Sequence, residues 1–282
     1  MIPIDVRALR AALEHFGGYI PAEQRRDART TVARLLRALE SGQVRAAEPQ
    51  PDGHWEVQRW VKEGILLAFR LGRPVAIESG AFSFVDKDTL PVRHFRDDDD
   101  VRIVPGGTAV RSGAFLGAGV VCMPPAYVNV GAWVGDDTMI DSHALVGSCA
   151  QVGRRVHLSA GARLGGVLEP VSALPVIVED DVLIGGNCGV FEGTIVRARA
   201  VLAPGTILSA GTPVYDLVRD RVYRREGDRP LEIPSGAVVV PGTRPIADPP
   251  ATARGVAIYA PVIVKYRDER TDTAARLEDL LR

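Results

Sequence analysis

An aliphatic residue or cysteine stands at every sixth position from Val104 to Leu164, and the step resumes from Val178 to Val214. All eighteen positions in this phase obey the rule, with Cys122 the one non-aliphatic member. Four residues beyond most of them sits a small residue, as at Ala114, Ala126, Ala132, Thr138, Ala144, Ala150 and Ala162. A large aliphatic followed by a small residue, every six, describes a short strand and a tight corner. Three such units close one triangular coil. The pattern therefore predicts a mainly β domain over residues 101–215, a parallel β-helix whose stacked coils bury a continuous aliphatic ladder. Period alone does not set its handedness.

From Leu164 to Val178 the step is fourteen instead of twelve, so "GGVLEPVSALPVI" leaves the wall as a loop. A loop interrupting a strict solenoid is either a binding element or a neutral insertion. The flanks carry other periods. Residues 1–100 read as an N-terminal helical domain, with helices in "VRALRAALEHF", "ARTTVARLLRALESG" stopped by Gly42, and "EVQRWVKEGILLAFRLG" ending at Gly72. "FRDDDDVRIVP" is a charged hinge into the solenoid. Residues 216–282 read as a short β/α extension, with strands in "GAVVVPGT" and "GVAIYAPVIVKY" and a helix in "TAARLEDLLR".

Composition narrows the function classes. A formal charge of −1 and a pI near 6.5 argue against a nucleic-acid partner. Three cysteines, an odd number in so long a chain, fit a reducing compartment better than a disulfide framework. The amphipathic N-terminus carries Asp5 early and makes a poor secretory signal, and apolar runs such as "GILLAF" are too short for a bilayer. The expectation is a cytoplasmic globular protein with no membrane partner.

The stretch "TMIDSHALVGSCAQVG" gathers Asp141, Ser142, His143, Ser148 and Cys149 within a dozen residues. Taken alone it suggests a nucleophile with its base. The hexad register argues otherwise. Ile140 and Val146 point inward, so the polar residues lie on the outer wall, and His143 and Cys149, six apart, occupy equivalent places on different faces and diverge. No Ser–His–Asp or Cys–His pairing survives that geometry within one chain. Cys122 and Cys188 hold inward positions, where a cysteine acts as a small hydrophobe, and no metal-ligand spacing is present. Asp141, directly after an inward Ile, is a solvated surface acid or a functional carboxylate.

The wording of the chain is itself informative. "VRIVPGGTAVRSGAFLGAGVVCMPPAYVNVGAWVGDDTMIDSHALVGSCAQVGRRVHLSAGARLGGVLEP", "VIVEDDVLIG", "FEGTIV", "IPSGAVVVPG" and "APVIVKY" closely resemble the tetrahydrodipicolinate N-succinyltransferases of lysine and diaminopimelate biosynthesis. "SGQVRAAE" and "GHWEVQRWVKEGILLAFRL" extend the likeness to nearly the whole chain. The resemblance implies a left-handed β-helix and a homotrimer with intersubunit active sites. Succinyl- or acetyl-CoA would serve as a co-substrate, with no permanently bound cofactor. A small-molecule amine would attack the thioester directly, which requires a base for the amine and donors for the tetrahedral oxyanion.

Carried over residue by residue, Asp141 falls on the family's catalytic aspartate and on its substrate contacts. Arg102 matches an arginine that holds a substrate carboxylate. Ser148 and Asn187 fall at substrate-binding positions. Gly165 and Gly166, together with Ala203, fall where the acyl-pantetheine arm approaches the backbone. Within the basic run Arg219, Arg221, Arg224 and Arg225, Arg221 is the candidate for the acidic end of coenzyme A; a solvated loop is the other reading. The departures cluster. The family's Ile-Gly-Ala-Arg-Ser-Glu is "IGGNCG" here, placing Asn187, Cys188 and Gly189 where an arginine, a serine and a second catalytic glutamate are expected. The Thr-Trp after the aspartate is Ser142–His143, so His143 is either a recruited base or a filler for an absent indole. Three functions follow: the lysine-pathway succinyltransferase; a paralogue that acylates another amino-acid-like amine in a specialised, tabtoxin-like pathway; and a solenoid trimer that has lost turnover.

Overall fold

Each hexad folds as a two-residue strand and a four-residue corner, as in Trp133–Val134, Met139–Ile140 and Leu145–Val146. The second residue of each pair turns inward: Val134, Ile140, Val146, Val152 and Leu158 have no accessible surface. Strands pair in parallel with those one coil away, so that Met139–Ile140 lies between Val121–Cys122 and His157–Leu158. A computed structural model describes residues 4–80 and 82–268, and the helix expected in "TAARLEDLLR" lies outside the described residues.

Three walls result. Wall I contains Val120–Cys122, Met139–Ile140, His157–Leu158, Leu183–Ile184 and Val201–Leu202. Wall II contains Tyr127–Val128, Leu145–Val146, Arg163–Leu164, Gly189–Val190 and Ile207–Leu208. Wall III contains Phe115–Leu116, Trp133–Val134, Gln151–Val152, Ile177–Val178 and Ile195–Val196. The buried Ala132, Ala144, Ala150 and Ala162 sit at the ends of the corners, where a larger side chain would hold adjacent walls apart. Sharp turning puts one residue of most corners at positive φ, and Gly131, Gly161 and Asn187 supply types that tolerate it.

Two positions depart from the strict six-residue step. Ile103, not Val104, stacks on Cys122, because "PGG" at 105–107 takes up an extra residue before the next strand. Val214 is buried, but its strand Val214–Asp216 leaves the coil and joins the far end of wall I. The wall III rung expected there is supplied by Glu232–Ile233, and wall I then continues at Ala237–Val240. The coil thus carries a second insertion, the hairpin Val214–Asp216/Arg221–Tyr223, and extends past residue 215. The strand Val262–Tyr266 closes this end, antiparallel to Ala237–Val240.

Helices α1 (Val6–His15), α2 (Arg25–Glu40) and α3 (Arg59–Leu71) form in the three stretches the apolar spacing marks, except that Glu56 and Val57, read as the start of the third, belong to the strand Trp55–Val57. Asp5 caps α1 through the Ala8 N–H (3.0 Å), and Gly42 follows α2 at φ 72°. Their apolar faces share one core, Leu9, Leu13, Val32, Leu35, Val61 and Ile65 among its members, and that core takes in Val130 and Cys149 from the edge between walls II and III. Two hairpins flank α3, Ala47–Pro49/Trp55–Val57 and Pro74–Ser79/Phe82–Lys87. No helix among the described residues is long and apolar enough to cross a membrane.

Candidate active site

Asp141 follows the inward Ile140 and begins the corner between walls I and II. Its N–H donates to the Leu158 carbonyl one coil on (2.9 Å), and its Oδ1 accepts the Ser142 N–H (2.8 Å). The second oxygen, Oδ2, lies 3.9 Å from Nε2 of His157. His157 is the outward residue of its strand, stacked between Met139 and Leu183, and its side chain is only 12% exposed against 31% for Asp141. The pair therefore sits half-sheltered at the rim of wall I, a carboxylate beside an imidazole.

His143, the recruit suggested by sequence, is not the histidine placed beside Asp141. It occupies the corner apex at φ 61°, exposed, with its N–H bound to the Pro125 carbonyl (2.5 Å). Nothing adjacent to Asp141 in the sequence points to His157. The coil period supplies the signal: Asp141 and His157 are sixteen residues apart, two short of one coil, so they meet across neighbouring rungs.

The other expected residues divide between two edges. Arg102 projects from Val101–Ile103, two rungs from Met139 on the same wall, hence about 10 Å along the axis. It is exposed and makes no ion pair among the described residues, leaving its fork open to a ligand. Asn187 lies on the Asp141 edge, exposed, above Gly161 and His143 in the stack of corners. Ala203 follows one coil later, its carbonyl 3.1 Å from Cys188 Sγ. Ser148, Gly165 and Gly166 lie on the opposite edge of wall II. There a Cβ on Gly166 would stand 2.7 Å from the Ser148 amide, and Val167 N–H donates to the Ser148 carbonyl (3.2 Å). Arg221 is exposed in the hairpin at the far end of wall I.

Wall II, between these edges, presents Tyr127, Leu145, Arg163, Gly189 and Ile207 outward. The Phe191 ring lies over Gly189 and also meets the space of any Cβ at Gly165 (2.8 Å). Behind the loop at residues 165–176, Lys62 of α3 is fully buried and donates from Nζ to the Ala173 carbonyl (2.5 Å). Burial draws its ammonium pKa down.

The cysteines offer no nucleophile. Burial pushes the thiols of Cys122 and Cys149 up to about 12 and raises that of Cys188. Cys149 leaves the prism outward, as its register requires, yet it is completely buried because the helical layer covers that edge. No group of three or more His, Cys, Asp or Glu side chains that could hold a metal ion occurs among the described residues.

Residues 12–71 match the model of the tetrahydrodipicolinate N-succinyltransferase N-terminal region, and residues 175–210 match the hexapeptide repeat of succinyl-transferase. Similar full-length proteins carry the name 2,3,4,5-tetrahydropyridine-2,6-dicarboxylate N-succinyltransferase. That of Afipia carboxidovorans is 40% identical over 269 residues, 93% of each chain. That of Idiomarina loihiensis is 42% identical over 265 residues, covering 91% of this chain and 90% of its own. The Polynucleobacter asymbioticus protein is 38% identical over 97% of both.

Proposed function

The chain belongs to the tetrahydrodipicolinate N-succinyltransferase family, and from that premise we propose that it moves the succinyl group of succinyl-CoA onto the amine of opened 2,3,4,5-tetrahydropyridine-2,6-dicarboxylate. The fold is the left-handed β-helix of hexapeptide-repeat acyltransferases. The observation that supports the reaction best is the Asp141–His157 pair on an exposed edge, with Arg102 on the same wall.

The attacking amine must be neutral. Asp141 receives its proton as the N–C bond forms, with the His157 imidazole facing its second oxygen across 3.9 Å. The C–S bond then breaks, and the proton passes to the departing thiolate of coenzyme A. Arg102 takes a substrate carboxylate on its planar fork. Ser148, Gly165 and Gly166 receive the acyl-pantetheine arm at the other edge of wall II, where glycine lets the loop pack directly on the Ser148 backbone and under the Phe191 ring. A homotrimer in the cytoplasm brings the two edges together, one from each of two neighbouring prisms.

Thiol release from succinyl-CoA with tetrahydrodipicolinate as acceptor tests this reading, with acetyl-CoA as the comparison donor. Succinyl-dependent release supports it. Absence of release, from protein that binds coenzyme A, overturns the assigned acceptor.

The loop carrying Gly165 and Gly166 depends on Lys62. A buried charged hydrogen bond to a carbonyl is worth roughly 1.5–3 kcal/mol, and a single apolar chain of similar length keeps the core packed. Lys62→Met is expected to raise KM for the acyl donor about ten-fold and to lower Tm by only a few degrees. Steady-state kinetics beside a thermal melt check it.

The Phe191 ring over Gly189 favours a second reading, in which the acceptor differs from that of the relatives. Glutamate cannot be restored at 189 alone, because the ring occupies its space. Gly189→Glu is expected to cost about 1–3 kcal/mol of stability through overpacking, and adding Phe191→Val to relieve it. If the double variant also raises kcat on tetrahydrodipicolinate, the wild-type pocket is adapted to another amine.

A further inference from the structure

The edge between walls III and I, away from Asp141, carries a groove of about 440 Å³ under the Ala47–Pro49/Trp55–Val57 hairpin. Its centre is a stack of flat groups. Phe115 and Trp133 lie 4.0 Å apart, the Arg45 guanidinium lies 4.0 Å from the Trp133 ring, and Trp55 closes the other side at 5.4 Å. Such a sandwich fixes the plane of the guanidinium and removes much of its water.

The polar surroundings leave part of that cation unused. Arg45 Nε donates to Gln151 Oε1 (3.0 Å), and the orientation of the buried Gln151 amide is set by its own donation to the Cys149 carbonyl (2.9 Å). No carboxylate lies within ion-pair distance of Arg45 among the described residues. The nearby acids have other partners. Asp136 faces Arg154 (3.5 Å), and Glu179 is held by Arg197 (2.7 Å), Trp55 Nε1 (3.2 Å) and the Ala198 N–H (3.0 Å). Asp180 accepts the Arg154 N–H (2.9 Å). Burial lowers the Arg45 pKa to about 10, with Glu48 and Asp180 countering only part of that. A desolvated cation without a direct ion pair is costly, and its terminal N–H groups form a ready fork for a carboxylate.

We propose that this groove is a binding site for a small flat carboxylate, the acid group on the Arg45 fork and the planar body against the indoles. The site is separate from the Asp141 edge and does not depend on the reaction assigned there. Its occupant is expected to brace the helical layer against wall III, since Arg45 and Trp55 come from the first and Trp133 and Gln151 from the second.

Calorimetric titration of the full chain with benzoate, and with the neutral isostere benzamide, tests the proposal. Benzoate is expected to bind one per chain and benzamide not measurably. Arg45→Gln and Trp55→Leu should each weaken benzoate binding at least ten-fold, and Asp141→Asn should leave it unchanged. Arg45→Lys, which keeps the charge without the fork, should weaken it several-fold and decides the matter if Arg45→Gln does not fold. The proposal is overturned if the wild type shows no saturable heat, if the Arg45 variants bind like wild type, or if binding is lost in Asp141→Asn.

Discussion

Asp141→Asn lowers kcat for succinyl transfer by about 10²–10⁴-fold, the range that a positioned proton acceptor contributes. The substitution keeps the shape. An asparagine Oδ1 still accepts the Ser142 N–H, and the backbone bond from residue 141 to the Leu158 carbonyl is untouched. What disappears is the negative charge that faces His157 and takes the amine proton. Because the side chain is partly exposed and makes no buried ion pair, Tm should stay within a few degrees of wild type. KM for the acyl donor should change little, since the donor is assigned to Ser148 and the two glycines across wall II. Kinetics on both substrates, with a thermal melt on the same preparation, separate a chemical loss from a folding loss. A variant that keeps more than about a tenth of wild-type kcat removes Asp141 from proton transfer.

Legibility of this chain in its sequence followed length scale. The walls could be read because each inward residue, from Val110 to Leu208, repeats the same local geometry. Only compensated shifts escaped: Val104, where a Pro-Gly-Gly turn absorbs a residue, and Val214, where the hairpin leaves the coil before Ile233 and Val239 resume the six-residue step. The short strands Ala47–Pro49 and Trp55–Val57 carry too few residues for any period. Contacts between layers were invisible for a different reason. The hexad predicts that Cys149 points out of the prism, but only the packed helices explain why it is dry, and nothing in "WVKEG" tells that Lys62 reaches the Ala173 carbonyl. At the site, Asp141 and Arg102 were reached through a resemblance to known enzymes, whereas His157 required the coil itself to be counted.

Leu158→Ala should lower stability by about 3–5 kcal/mol, the upper part of the range for a leucine removed from a closed core. Leu158 has no accessible surface and is stacked in wall I between Ile140 and Ile184. A globular core can partly collapse around such a cavity. A β-helix has little room to do so, because ladders on three walls hold successive coils about 4.8 Å apart, so most of the void persists. For a chain of this size the loss corresponds to a fall in Tm of roughly 10 °C or more. The same substitution also reaches the chemistry, since the backbone of residue 158 receives the Asp141 N–H and its neighbour His157 faces the Asp141 carboxylate. The small relaxation that the ladders do permit is centred on that rung and alters the Asp141–His157 spacing, so kcat/KM should fall below wild type even at a temperature where the variant is fully folded. Leu35→Ala provides the comparison. That residue is equally buried in the helical layer, so it should lower Tm by a similar amount while leaving kcat/KM within about two-fold, as expected for sites that share no partners. Equal activity losses in the two variants would mean that general destabilisation, and not the geometry of the Asp141 rung, limits turnover.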